Sequence, residues 1–228
     1  MARQSRPRLT LDIAAIPTYA IGDIHGRFDL LAKAEAAILR DAARLPGRKL
    51  IVTLGDYIDR GPASAQVITH LMAPPPDDFD RICLAGNHEI AMLDYIDGWI
   101  SYDDWMQMGS AELLKSYGLD PDHLPLVFPT GAKLDAFIRQ SLPRTHIDFM
   151  RAMPVLLETP SVIFVHAGIN PKLPLDRQTD EDLVLIRQRF LESRVPLPKL
   201  IVHGHTPNDK PDIRPRRLNI DTRAYRSG

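Results

Sequence analysis

Five short apolar runs punctuate the chain, and each stops abruptly at a polar cluster. Residues 50–54 end in Gly55-Asp56-Tyr57-Ile58-Asp59-Arg60-Gly61. Residues 19–21 lead into Gly22-Asp23-Ile24-His25-Gly26, and residues 82–85 into Gly86-Asn87-His88-Glu89. Residues 162–165 lead into His166-Ala167-Gly168, and residues 200–202 into His203-Gly204-His205-Thr206. Continuous apolar runs of this length read as strands buried on both faces, and in an open α/β sheet the ligand sits beyond their carboxyl ends. The five runs therefore bring Asp23, His25, Asp56, Asn87, His166 and His205 toward one prospective edge.

Between the runs the period changes. Residues 28–45 place Leu30, Leu31, Ala34, Ala37, Ile38 and Ala42 at helical spacing, and Pro46-Gly47 stops them. Residues 62–72 read as a second helix ended by Pro74-Pro75-Pro76, which makes the first part of the chain a βαβ arrangement. From Glu89 to about residue 151 no run ends in potential ligands, and helical stretches are broken at Gly98, Gly109 and Gly118, with a proline-bearing loop over 120–129. A mostly helical insertion at about 90–151 is expected beside the site. Trp99 reads as part of that insertion's own small core, whereas Trp105 and Tyr102 fit either a core or a site role. Residues 155–157 and 162–165 then predict consecutive strands, 180–192 a helix, and 199–202 and 217–220 the last strands. Residues 1–16, with Arg3, Arg6 and Arg8, read as a basic and loosely held lead-in.

Composition narrows the partners. The 228 residues are 44% hydrophobic and 25% charged, as in a soluble globular chain. A formal net charge of -1 provides no long-range field for nucleic acid or an anionic membrane, so neither is expected as a partner. No apolar segment reaches the ~18 residues of a membrane span, and the first sixteen residues lack a signal-peptide core. Cys83 is the one cysteine, so no intrachain disulfide can form, and a cytoplasmic location is expected.

Carboxylate, amide and imidazole donors together suit divalent manganese, iron, zinc or magnesium. Asp23 and His25 stand two apart, so the turn flanked by Gly22 and Gly26 must curl to bring them together. A pair of ions ~3.5–4 Å apart needs a shared ligand, and Asp56 is the natural candidate. Such a pair would lower the pKa of a bridging water enough for in-line attack on phosphorus. Arg60 suits the non-bridging phosphate oxygens, with Arg187 as a second candidate. His88 could protonate the leaving oxygen if Asp59 holds its ring. Taken singly, each motif has an ordinary explanation: a turn, a satisfied histidine, a surface ion pair. His70, His123 and His146 lack strand-end context and read as structural or exposed. Strand alternation points His203 away from His205, which favours a packing role. The joint occurrence of five strand-end clusters is what outweighs the ordinary explanations.

The GDIHG, GDYIDRG and GNHE blocks resemble the three signatures of the phosphoprotein phosphatase (PPP) family of metallophosphoesterases. His166-Ala167-Gly168 and Gly204-His205-Thr206-Pro207 are similar to its two later histidine blocks, and the type most resembled is the small bacterial and phage serine/threonine phosphatases. The resemblance implies an α/β, four-layer α+β fold of two packed mixed β-sheets flanked by helices, as one catalytic domain over residues 1–228. It implies a first metal on Asp23, His25 and Asp56 and a second on Asp56, Asn87, His166 and His205. Manganese is expected, with iron or zinc as other candidates. His88 with Asp59 would be the acid pair, and Arg60 with Arg187 would grip the phosphate. The implied activity is hydrolysis of phosphoserine and phosphothreonine in a phosphorylated protein or small phosphoester. The alternative is symmetrical hydrolysis of dinucleoside polyphosphates, against which the Asp59-Arg60 pair argues. A non-enzymatic binding role would predict broken ligands, and none of the six metal positions is broken. Ala167, Ala85 and Arg223 depart from common family residues, and relatives commonly continue past Gly228 with a final strand.

Overall fold

The structure, a computed structural model, describes residues 5–128 and 130–227. Arg3, Pro129 and Gly228 lie outside them. Among the described residues the strands are β1 (Arg8–Thr10), β2 (Thr18–Ile21), β3 (Lys49–Thr53), β4 (Phe79–Cys83), β5 (Leu156–Glu158), β6 (Val162–Val165), β7 (Leu200–His203), β8 (Asp212–Arg214) and β9 (Arg217–Asn219). They form a three-stranded sheet in the order β2-β3-β4 and a six-stranded sheet in the order β1-β5-β6-β7-β9-β8. The small sheet is wholly parallel. The large one is mixed, with β5 antiparallel to β6 and β8 antiparallel to β9.

The helices are α1 (Phe28–Ala42), α2 (Ser64–Met72), α3 (Asn87–Asp97), α4 (Tyr102–Met106), α5 (Ala111–Ser116), α6 (Leu124–Val127), α7 (Gly131–Ser141), α8 (Arg144–Ala152), α9 (Asp180–Leu185), α10 (Gln188–Leu191) and α11 (Ala224–Ser227). Among the described residues none is long and apolar enough to cross a membrane.

Strand β3 shows why the layers form. All five of its residues are buried. Leu50 and Val52, with Leu54, point toward the large sheet and pack in one cluster with Leu157, Phe164 and Val202. Ile51 points the other way and packs with Ala42 of α1 and Phe79. Period-two alternation thus feeds two cores from one strand, and each buried aliphatic side chain contributes about 1.5–3 kcal/mol. The two sheets face each other across the Leu50–Phe164 cluster.

The structure differs from the sequence expectations at several points. The lead-in is held: β1 pairs in parallel with β5, and Arg6 Nη1 donates to Met150 O at 2.9 Å while its backbone N donates to Asp180 Oδ2 at 2.7 Å. Short polar strands at a sheet edge carry little periodic signal, so β1 was not visible. Helix α1 ends at Ala42 rather than at 45. The segment expected as one helix over 180–192 is two, α9 and α10, because Ile186 turns extended (ψ 139°) and Arg187 leaves helical space (φ −132°, ψ −101°). Trp99 is 46% exposed, not in a core, whereas Trp105 is fully buried and stacks on Tyr95 at 4.4 Å. Helical periodicity marks both tryptophans as apolar, and only the packing of α3 against α4 decides which is covered. Helices occupy most of the described residues between β4 and β5.

Candidate metal centre

The loops after β2, β3, β4, β6 and β7 meet at one end of the facing sheets. They fit together only by very close backbone approach. At Gly55 the backbone adopts φ +105°, and a Cβ there would lie 2.4 Å from Gly86 N. At Gly204 a Cβ would lie 2.0 Å from Asp23 Oδ1. His25, Asp56, Asp59, Arg60 and His205 all hold positive φ, five of the seven such non-glycine residues described. Each costs about 1–3 kcal/mol and persists only where surrounding bonds enforce it. Those bonds are present: Ile24 N and His25 N both donate to Asp56 O at 3.0 and 2.8 Å, and Arg60 N donates to Gly109 O at 3.0 Å.

Asp56 sits at the middle of the result. Its Oδ1 lies 3.3 Å from His166 Nε2, and its Oδ2 lies 3.6 Å from His25 Nε2 and 3.8 Å from His88 Nε2. Two triplets of donor atoms, His25–Asp56–His88 and Asp56–His166–His205, each fall within 4.8 Å and share Asp56. Asn87 Oδ1 is 3.0 Å from His166 Nε2. Asp23 stands alongside, its carboxylate accepting the backbone N–H of His205 at 3.2 Å. All six residues expected to hold metal thus converge, with His88 closing the first triplet and Asp23 tied to the second.

Backbone carbonyls set the ring tautomers. His25 Nδ1 lies 2.9 Å from Ile58 O and His166 Nδ1 lies 3.0 Å from Leu54 O. A carbonyl only accepts, so Nδ1 carries the proton in each ring and the Nε2 lone pair faces Asp56. Burial lowers His25 to a pKa of about 3 and, with His166 beside it, His205 to about 3, so both rings stay neutral as ligands must. Burial, then Asp56 and Asp221, push Asp23 well above the carboxylate range. Burial would also raise Asp56, and only positive charge beside it, on the surrounding rings or on a bound cation, holds it below that range. Buried carboxylates opposed by neutral imidazole lone pairs fit divalent cations, and the clusters have the donor chemistry of a metal site.

The remaining expected residues stand around this centre. His88 Nδ1 is 2.6 Å from Asp59 Oδ2, both side chains fully buried. Burial opposes charge on His88, but Asp56 and Asp59 prevail and raise its pKa. Arg60 Nη1 and Nη2 donate to His25 Nε2 at 2.9 Å and His88 Nε2 at 3.1 Å. Arg187, turned inward by the break between α9 and α10, donates from Nε to His205 Nε2 at 3.0 Å. The two guanidinium groups therefore stand over opposite clusters.

His203 is buried but outside both triplets, its Nδ1 3.0 Å from Gly204 O and its ring edge-on to Phe190. His70 pairs with Glu35 and His146 with Tyr117.

Three residues near the centre escaped the sequence reading. Glu89 is fully buried, and its carboxylate accepts the backbone N–H groups of Gly86 and Asp56 at 2.9 Å and of Tyr57 at 2.8 Å. It ties the β3 loop to the start of α3. Burial and then Asp56 push it up to about 7. Its spacing from Gly86, that of a helix capping box, was the available signal. Asp221 is buried and acts electrostatically on both Asp23 and Asp56. Tyr225 on α11 places its ring 4.7 Å from Arg60 Cζ and edge-on to His25 at 5.2 Å. No local pattern marks either.

Known proteins share this arrangement of elements. A family model described as calcineurin-like phosphoesterase matches residues 16–226. Among solved structures, a protein proposed to be a diadenosine tetraphosphatase superposes with a TM-score of 0.63 at 20% identity, over 95% of this chain and 88% of that one. A cold-active protein-tyrosine phosphatase from a psychrophilic Shewanella species gives 0.55 at 15%, over 97% and 75%. A protein serine/threonine phosphatase from Saccharomyces cerevisiae gives 0.55 at 15%, over 95% and 71%. At these identities the likeness is one of fold.

Proposed function

Because the chain belongs to the calcineurin-like phosphoesterase family, we propose that it is a metal-dependent phosphomonoesterase acting on phosphoserine and phosphothreonine in phosphorylated proteins. The observation that carries this reading is Asp56, which aims one carboxylate oxygen at each donor cluster. In the proposed site Asp23, His25 and Asp56 hold one ion and Asp56, Asn87, His166 and His205 the other. When bound, the two ions supply Lewis acidity that makes water a competent nucleophile at neutral pH. Manganese suits the mixed oxygen and imidazole set, and iron and zinc are the other candidates.

The chain's own residues do the rest. Arg60 and Arg187 take the non-bridging phosphate oxygens from opposite sides, exchanging their imidazole contacts for charge-assisted bonds. Water oxygen bonds to phosphorus as the ester P–O bond breaks. His88, its Nδ1 held by Asp59 and its affinity for a proton raised by Asp56 and Asp59, gives a proton from Nε2 to the leaving alkoxide once Arg60 has exchanged that nitrogen for the phosphate, and the proton lost by water passes to solvent. A buried lone Cys83 accords with the reducing cytoplasm in which we place this activity.

The test is metal removal with chelator, re-addition of manganese, and parallel assay of a phosphopeptide, an aryl phosphate and diadenosine tetraphosphate. Manganese-restored release from the phosphopeptide is the expected result. Absence of metal-dependent release from all three would end the reading, and strong preference for the dinucleotide would replace it with the polyphosphate hydrolase alternative.

A further inference from the structure

A groove of about 1270 Å³ opens beside the metal centre, with Asn87 as part of its wall. A phosphoryl group fills only a small fraction of such a space, which exceeds the usual range for small-ligand sites. Ile90, Ile100 and Met108 give it an apolar side, and Trp99 contributes a 46%-exposed indole. An exposed indole at the edge of a concave surface is the side chain most used to anchor a bound partner.

The charges in the groove are unequal. Its three guanidinium groups are already engaged: Arg151 Nη1 with Asp97 at 2.9 Å, Arg8 with Asp180 at 2.9 Å, and Arg6 with the carbonyl of Met150. Asp104 accepts only from Ser101, and Glu181 lies exposed on the rim. Neither has a cation partner among the described residues, and the lining as a whole sets five carboxylates, Asp94, Asp97, Asp104, Asp180 and Glu181, against three guanidinium groups, a net negative charge.

Resting on the phosphomonoesterase reading above, we infer that this groove binds the peptide flanking the phosphorylated residue and selects a basic side chain in that flank. A chain extended at ~3.3 Å per residue lays several residues along the groove, the indole covers an apolar or aliphatic stem, and Asp104 and Glu181 meet a Lys or Arg head. A dinucleoside polyphosphate brings several negative charges to the same rim and is disfavoured there.

Steady-state kinetics on matched phosphopeptides with Lys or Glu beside the phosphoserine, with para-nitrophenyl phosphate as a substrate too small to reach the groove, test this. The wild type is expected to favour the Lys peptide by about tenfold in kcat/KM at low salt, shrinking as salt rises. Asp104→Lys combined with Glu181→Lys removes or reverses the preference, and Trp99→Ala raises KM for both peptides several-fold, while para-nitrophenyl phosphate turnover stays as in the wild type. Polarisation of a labelled Lys peptide reads the same order by binding alone. Equal handling of the two peptides, or an unaltered preference in the double variant, with para-nitrophenyl phosphate still hydrolysed, overturns the groove assignment alone. Loss of all hydrolysis in the manganese-loaded wild type overturns the phosphomonoesterase reading and the groove with it.

Discussion

His88 Nδ1 and Asp59 Oδ2 lie 2.6 Å apart with both side chains withdrawn from solvent. Burial alone would keep the ring neutral, and the carboxylates of Asp56 and Asp59 reverse that and raise the pKa of His88. A raised histidine pKa means that the folded state prefers the charged ring. Its stabilising contribution is complete below the unfolded value of about 6.5 and fades as pH climbs through the folded value. Asp59→Asn removes one of the two supports. The alkaline limb of kcat should move about one unit lower, and folding stability should lose part of its preference for pH below neutrality. A pH–rate profile and thermal melts at pH 6 and 8 measure both, and an unshifted limb would remove His88 from the role of acid.

Asp56 offers one oxygen to each cluster, so it has no partial substitute. Asp56→Asn is expected to lower kcat by at least about 10³-fold and to reduce the metal retained after dialysis, read by elemental analysis. Wild-type-like turnover would remove the shared-ligand role.

Asp23, Asp56 and Asp221 crowd negative charge into a buried space. Cations that bind the folded state alone raise its stability by mass action. Chelation should therefore lower the melting temperature of the wild type by several degrees, and manganese should restore it. In Asp56→Asn the chelator should have a much smaller effect.

Tyr225 lies over the Arg60 guanidinium at 4.7 Å. A cation–π contact of this kind contributes about 0.5–2 kcal/mol. Tyr225→Leu should raise KM for a small phosphoester about threefold to tenfold with kcat nearly kept, whereas Tyr225→Phe keeps the ring face and should behave as wild type. Comparable losses in both variants would assign the effect to the hydroxyl instead.

The two tryptophans separate burial from exposure. Trp105→Ala removes a fully buried ring stacked on Tyr95 and is expected to cost about 3–5 kcal/mol in denaturant unfolding. Trp99→Ala should stay within about 0.5 kcal/mol of wild type.

Much of the centre was legible because its chemistry is local. Each ligand sits one to four residues past an apolar run, and both the run and the glycine-bounded turn are short-range signals. That sufficed for Asp23, His25, Asp56, Asn87, His166 and His205, which the structure brings together. What failed was long-range. Strand β1 is three residues long and owes its existence to β5, about 150 positions away. Helical periodicity ran straight through Ile186 and Arg187, because the contact that holds Arg187 inward is to His205 on another element. Tyr225 has no neighbouring motif and reaches Arg60 only through the folded chain. Glu89 was visible as a residue, but its bonds to the β3 loop require knowing that α3 starts against that loop.

The donors come from both sheets: Asp23, His25, Asp56, Asn87 and His88 follow strands of the parallel one and His166 and His205 strands of the mixed one, so the Asp56–His166–His205 cluster spans the two. Their mutual distance is set by hydrogen bonds between the loops, His166 Nδ1 to Leu54 O and His205 N to Asp23, and beneath them by the oily seam of Leu50, Val52, Leu157, Phe164 and Val202. Cation affinity is therefore a gauge of how firmly the two halves are glued. Wear in that seam, far from any substrate, would let the halves drift and empty the site while each sheet remained intact.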